Sequence, residues 1–341
     1  MRAGRNALKH VVALFLLCFA SPSECLCLPS SSSSSSSSFH GDDGTGVHYV
    51  VLSHGYQGSS KDLAVLEMSL KEQALGSLHG SSRCVVLQAT CNEGKTRDGV
   101  ARGGERLARE IERFIERRIL EEGEGGESAA SISIVGNSLG GLYARYAISK
   151  LFQSGGGSFL EVAGRTLLPL TFATTASPWL GTSGHTFFKV PRTAEYAFAR
   201  SLGQTGMDLF RYNDLVTEMS TSDKFLSPLS KFRNRLCLGN IGRTDFLVPA
   251  STSLFLSPGA STKHTRANAA RASSSDFLLA SYLTERQVHT IDNNNNNSSN
   301  KKNNSNNYNN SNNSNNRDRD ALCCECIDRL GWEKVSKGII I

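Results

Sequence analysis

The longest uninterrupted apolar run in this 341-residue sequence, Val11 to Ala20, has ten residues. A bilayer-spanning helix needs about 20, so no segment reads as a membrane span. Charge of one sign does not dominate either: 37 Lys and Arg face 31 Asp and Glu, for a formal net charge of +6. Arg2, Arg5, Lys9 and Glu24 near the start account for part of that excess. Elsewhere bases and acids interleave, as in GGERLAREIERFIERRILEE, which describes a solvated helix face and argues against a nucleic-acid partner. The nine cysteines offer one C-x-x-C spacing, Cys323 to Cys326 within CCEC, and no second pair, so the paired pattern of a zinc site is lacking. The composition, with 39% hydrophobic residues, 31 Gly and 8 Pro, excludes collagen, coiled coil and disulfide miniprotein.

What remains is an ordinary globular composition with unusual ends. Three basic residues ahead of Val11–Ala20, followed by small residues, read as a secretory signal cleaved after Ala20 or within SPSEC. Ser30–Ser38 is an unbroken serine run that cannot pack and reads as a flexible linker. Behind such a leader, an organelle transit peptide stays open as the second reading. Asn293–Asn316 holds sixteen Asn and five Ser in 24 residues, too little apolar area to fold, and is expected to be disordered. Its sequons, such as Asn303-Asn304-Ser305, matter only after export. If the chain is exported, Cys84 and Cys91 are candidates for a disulfide, while Cys323, Cys324 and Cys326 lack a nearby fourth metal ligand and read as incidental.

The body of about 270 residues is long enough for one self-stable domain. Short apolar runs, YVVL (49–52), CVVL (84–87), ISIV (132–135), LTFA (170–173) and LCL (236–238), read as buried parallel strands. Helical patterns separate them: 62–74, 105–120 with Leu107, Ile111, Phe114, Ile115 and Ile119 on one stripe, and 142–152. This alternation predicts an α/β fold with a mostly parallel, doubly wound sheet. A helical insertion at 183–230, with Phe187 and Phe188, either caps a site at the carboxyl edge or only adds packing.

The chemistry begins at SISIVGNSLGGLYARYAI, where a β-branched strand runs into Gly136-Asn137-Ser138-Leu139-Gly140 and then a helix. This is the G-x-S-x-G nucleophile elbow, whose glycines Gly136 and Gly140 let Ser138 occupy a strained turn with its hydroxyl free at a helix N-terminus. An earlier strand ends in His54-Gly55-Tyr56. Such a loop supplies one oxyanion-hole N–H and the residue after the nucleophile the other, which makes Tyr56 and Leu139 the donors. His54 itself reads as a packing residue of that loop. In the chain order serine, acid, histidine, Asp245 after the strand 236–238 is the best acid; Asp214 and Asp223 fit less well. Only His264 and His289 follow Asp245, and His289 is the first candidate for the base.

These segments, together with TRDGV, GERLA, FATTASPWLGT, LGQTGMDLF and FLSPLSKFRNRLCLGNIGRTDFLVPASTS, resemble the DUF676 serine esterases, lipase-like α/β-hydrolases. The resemblance runs over about residues 47–255 and resumes at IDRLGWEKV. It implies Ser138 as nucleophile, Asp245 in D-x-x-V-P as acid, and acyl esters, especially lipids, as substrates, with a membrane surface as a possible partner and no metal or organic cofactor. Trp179 stands where the family has the histidine of T-P-H-x-G. The family's catalytic histidine follows G-W-x-K-V in an A-H-N-like motif that is not met here, so the expectation is a C-terminally incomplete hydrolase. The resulting division is 1–27 targeting peptide, 28–46 linker, 47–292 α/β-hydrolase domain with a helical cap insertion, 293–320 disordered insertion and 321–341 a remnant of the domain. Two other functions stay open: a hydrolase-fold lipid- or protein-binding protein without turnover, and an acyl-protein thioesterase.

Overall fold

The computed structural model describes residues 46–76, 83–122, 130–154, 160–185, 191–240, 248, 250–256, 278–283 and 311–337. The strands are β1 (Val47–Ser53), β2 (Arg83–Gln88), β3 (Ala130–Asn137), β4 (Leu160–Val162), β5 (Arg165–Thr175), β6 (Asn234–Asn240), β7 (Leu278–Leu283) and β8 (Glu333–Lys337). They make one sheet in the order β2-β1-β3-β5-β6-β8-β7, with β4 hairpinned onto β5. Pairing is parallel from β2 through β8, and antiparallel for β4 with β5 and β7 with β8. The helices are α1 (Ala64–Gly76), α2 (Val100–Glu122), α3 (Leu139–Ser154), α4 (Arg192–Ser201), α5 (Gln204–Leu209), α6 (Leu215–Thr221), α7 (Asp223–Ser230), α8 (Ala250–Ser253) and α9 (Ser311–Asp328).

Both sheet faces are dry, which is why β1 reads as a continuous apolar run. Tyr49 and Val51 join a large core with Leu107, Ile111 and Ile115 of α2 and Leu142 and Ile148 of α3. Val50 and Leu52 point the other way, into a smaller core with Leu66 and Leu70 of α1, Val135, Leu236 and Leu238. Because β1 has β2 on one side and β3 on the other, the chain leaves β1 and β3 in opposite directions. A crevice opens at the carboxyl ends of such a pair, the place where open α/β sheets bind ligands.

Several expectations need correction. The Asn-rich tract does not run unfolded to residue 320, because α9 begins at Ser311. The buried Cys323, Cys324 and Ile327 and the buried carboxylate of Asp320 anchor the helix, and extending a formed helix backward costs little. Cys84 and Cys91 are both free thiols, so no disulfide joins them. Helix α2 starts at Val100, five residues before the 105–120 pattern, and its Gly103 and Gly104 take the Tyr143 and Tyr146 rings of α3 against the backbone.

The N-terminus of α2 is capped from the insertion. Asp208 accepts the Val100 N–H at 2.7 Å, Gln204 Nε2 at 2.9 Å and Asn213 Nδ2 at 2.7 Å, and Thr205 Oγ1 accepts the Gly99 N–H at 2.9 Å. Asp208→Ala leaves three buried or half-buried donors without an acceptor and should cost about 2–4 kcal/mol in urea unfolding. Asp208→Asn, which keeps one acceptor oxygen, should cost less.

Helix α9 is tied to the same insertion through Asp320, which pairs with Arg211 and faces His185 Nε2 at 3.4 Å. Burial alone would raise its pKa, but the His185 imidazole beside it and the Arg211 charge outweigh burial and hold the carboxyl below its ordinary value. A depressed folded-state pKa stabilises the native state above the unfolded pKa, and that stability is lost as the pH falls through the folded value. The stability gap between wild type and Asp320→Asn should therefore be full at neutral pH and close on the acid side of the ordinary carboxylate range, read by urea titration at each pH.

Candidate active site

Ser138 sits between β3 and α3 at φ +53, in the left-handed region that a serine adopts only at a cost. Three backbone interactions hold it there: its N–H donates to Thr175 O at 2.7 Å, and its carbonyl accepts from the Ser177 hydroxyl at 2.8 Å and from the Gly141 N–H at 3.1 Å. The glycines make the turn possible. A Cβ on Gly136 would fall inside 3 Å of the Gly140 and Gly141 backbone, and one on Gly140 inside 3 Å of the Ser53 and His54 carbonyls. Among the described residues, nothing hydrogen-bonds to Ser138 Oγ.

The loop after β1 lies directly over this turn. A Cβ on Gly55 would be 2.9 Å from Ser138 Cβ and 3.4 Å from its Oγ, so only glycine lets the loop come this close. Gln57 turns at φ +53, and its N–H donates to Thr96 Oγ1 at 3.0 Å. The Thr96 carbonyl in turn accepts from Thr205 Oγ1 at 2.6 Å, which links the loop after β1, the loop after β2 and the insertion through one residue. Leu139 is the first residue of α3, where backbone N–H groups have no partner within the helix. Tyr56 is half-buried in the loop after β1.

The structure thus brings Gly55, the neighbour of Tyr56 in sequence, onto the turn formed by Gly136, Ser138, Leu139 and Gly140. Asp245, His264 and His289 lie outside the described residues, as do Phe187 and Phe188. The described histidines are His48, His54 and His185. His48 is the second residue of β1, at the amino end of the sheet and so opposite the carboxyl end that carries Ser138, and burial holds its imidazole down to about 4. His54 is buried, with Nδ1 3.0 Å from Gly55 O. His185 is engaged by Ser251 Oγ at 3.0 Å and by Asp320. Asp214 pairs with Arg319 on the surface.

Trp179 is fully buried. Its indole N–H donates to Thr174 Oγ1 at 3.0 Å, and its ring packs edge-on against Phe172, Phe255 and Trp332. The Arg145 guanidinium stacks on it at 4.1 Å, and burial lowers that group to about 9. This cluster, which sequence patterning did not reveal, joins helix α3 behind Ser138, the loop after β5 and the approach to β8. Among the described residues, no three His, Cys, Asp or Glu side chains are grouped to hold a metal ion.

An open parallel sheet with a G-x-S-x-G turn at its switch point is the α/β-hydrolase arrangement. Residues 44–261 match the family described as putative serine esterase (DUF676). The chain belongs to this serine esterase family. Two curated relatives are named putative lipases: C4A8.10 of Schizosaccharomyces pombe, 30% identical over 229 residues (63% of this chain, 26% of that protein), and ROG1 of Saccharomyces cerevisiae, 30% identical over 218 residues (61% and 28%). The chain therefore spans about a quarter of the length of these relatives. Among solved structures, the lin2722 product of Listeria innocua covers 60% of this DUF676 chain and 76% of its own, at TM-score 0.33 and 15% identity. A monoacylglycerol lipase of Paleococcus ferrophilus covers 60% and 77%, at TM-score 0.32 and 16% identity.

Proposed function

We propose that this chain is a serine hydrolase that cleaves carboxylic esters of lipids. The observation that carries the reading is Ser138 at φ +53 with its hydroxyl unbonded among the described residues and Gly55 pressed against its Cβ. In the proposed reaction Ser138 Oγ attacks the acyl carbon while a histidine takes its proton, and the Leu139 and Tyr56 N–H groups receive the charge that develops on the carbonyl oxygen. Asp245 orients that histidine, for which His289 and His264 are this chain's candidates. The alcohol leaves with the proton returned by the imidazolium, and water then releases the acyl group by the same steps. The lipid part of the proposal is supported by the names of the two yeast relatives. The basic, apolar leader, which lies outside the described residues, supports entry into the secretory pathway.

A fluorophosphonate probe tests the proposal, since it reacts with activated serines and spares ordinary ones. The expected result is one adduct, mapped by peptide mass spectrometry to Ser138, with hydrolysis of long-chain above short-chain p-nitrophenyl esters. Failure to label Ser138 would sink the hydrolase reading and leave a binding role for the fold.

A further inference from the structure

Strand β5, which takes the Ser138 N–H, ends in a tight turn of its own. Ala176 stands there at φ +47, a left-handed position for a residue with a Cβ, and its N–H donates to Leu238 O of β6 at 2.8 Å. This turn delivers Ser177, which is buried, onto the start of α3. A Cβ on Gly141 would be 2.1 Å from Ser177 Oγ and 2.8 Å from its Cβ, so the hydroxyl lies against bare helix backbone. From that position it donates to the Ser138 carbonyl at 2.8 Å, with the Gly136 carbonyl farther off at 3.5 Å. Only the first is a hydrogen bond of ordinary length.

The Ser138 carbonyl belongs to the same peptide unit as the Leu139 N–H. That unit is planar and trans, so its C=O and N–H point in opposite directions and fixing one fixes the other. The Gly141 N–H also reaches this carbonyl, at 3.1 Å, but it belongs to the same helix turn and moves with it. Ser177 comes from a separate strand end. The same strand end takes the Ser138 N–H on the Thr175 carbonyl at 2.7 Å and gives the Thr175 hydroxyl to Asn137 Oδ1 at 2.8 Å. The peptide before Ser138 is thus held to β5 by backbone, which any residue supplies, whereas the peptide after it is held by one side-chain hydroxyl.

We propose that Ser177 is a positioning residue for the oxyanion hole: its hydroxyl sets the plane of the Ser138–Leu139 peptide and so aims the Leu139 N–H. Ser177 acts in this way within the hydrolase reading above, on which the proposal rests. A donor pulled toward an N–H···O angle of about 120° loses most of its bond to an oxyanion, while the rest of the substrate binds as before. Ser177→Ala should therefore lower kcat on p-nitrophenyl butyrate about tenfold or more, short of the 10²–10³ lost when a donor is removed outright, with KM within about twofold. Ser177→Cys, which keeps a weak donor, should fall between. The readout specific to the hole is p-nitrophenyl thionobutyrate, whose sulfur is a poor acceptor: wild type should favour the oxygen ester, and Ser177→Ala should lose about as much of that preference as it loses in kcat. A purely structural serine would slow both esters alike, in step with a lowered urea midpoint. Equal slowing of the two esters, or wild-type kcat in Ser177→Ala, would overturn the positioning role and leave the hydrolase reading standing. A wild-type chain that neither turns over the ester nor labels at Ser138 would remove the hydrolase reading and this role with it.

Discussion

Ser138→Ala should lower kcat on p-nitrophenyl butyrate by about 10⁴- to 10⁶-fold, the range expected when a hydrolase loses its nucleophile and keeps only its oxyanion donors and binding. The fold should not notice. Ser138 Oγ makes no hydrogen bond to a described residue, whereas the bonds that set the turn use its backbone N–H and carbonyl, which alanine retains. Thermal unfolding of the variant should match wild type. Ser138→Gly should also lose activity but gain about 1 kcal/mol, because glycine carries no penalty at φ +53. A loss of function that travels with a gain of stability is the mark of strain kept for chemistry. Ester turnover at the wild-type rate by either variant would remove Ser138 from the mechanism.

Gly140→Ala should be among the most damaging single-carbon changes at the described glycines. Its Cβ would meet the carbonyls of Ser53 and His54, and backbone at the end of a buried strand cannot swing aside as a flexible side chain can. Relief would require moving β1 away from α3, through a core that is packed on both faces. We expect a loss of about 3 kcal/mol or more, a large share of an ordinary domain's stability, seen as a lowered urea midpoint or as insoluble expression. Gly164→Ala supplies the contrast. That glycine is also left-handed, at φ +75, but a Cβ there meets nothing within 4 Å, so the cost should be about 1 kcal/mol of backbone strain alone. Similar losses for the two would mean that crowding at the elbow contributes little.

How far the sequence could be read follows from which interactions are local. The strands at 49–52, 132–135 and 236–238 announced themselves because dry sheet faces demand unbroken apolar runs, and the elbow did so because its glycines and serine occupy five consecutive positions. The early start of α2 did not, since its caps, Asp208 and Thr205, lie about a hundred positions downstream. Strand β4 is three residues long, and β8 (EKVSK) carries charge in the pattern, so neither shows strand periodicity. Lys334 escapes the usual rule for a buried base by ion-pairing with Asp328 at 2.6 Å and lying over the Phe255 ring at 4.0 Å. Composition misled at Ser311–Asp320, where polar residues are helical because the segment behind them is anchored. The register that brings Gly55 to Ser138 belongs to the pairing of β1 with β3 and is written in neither motif alone.

The position of β8 also sets an order of assembly. Strands β1, β2 and β3 come from residues 47–137 and can pair as soon as that stretch has emerged, whereas β8, from 333–337, lies between β6 and β7. Until it arrives, one flank of β6 is an open strand edge and β7 has lost its partner on the path, the kind of unpaired backbone that recruits other chains. Among the described strands, the one made last is thus the one that joins β6 to β7, and during synthesis the turn at Ser138 can form well before that flank of β6 is covered.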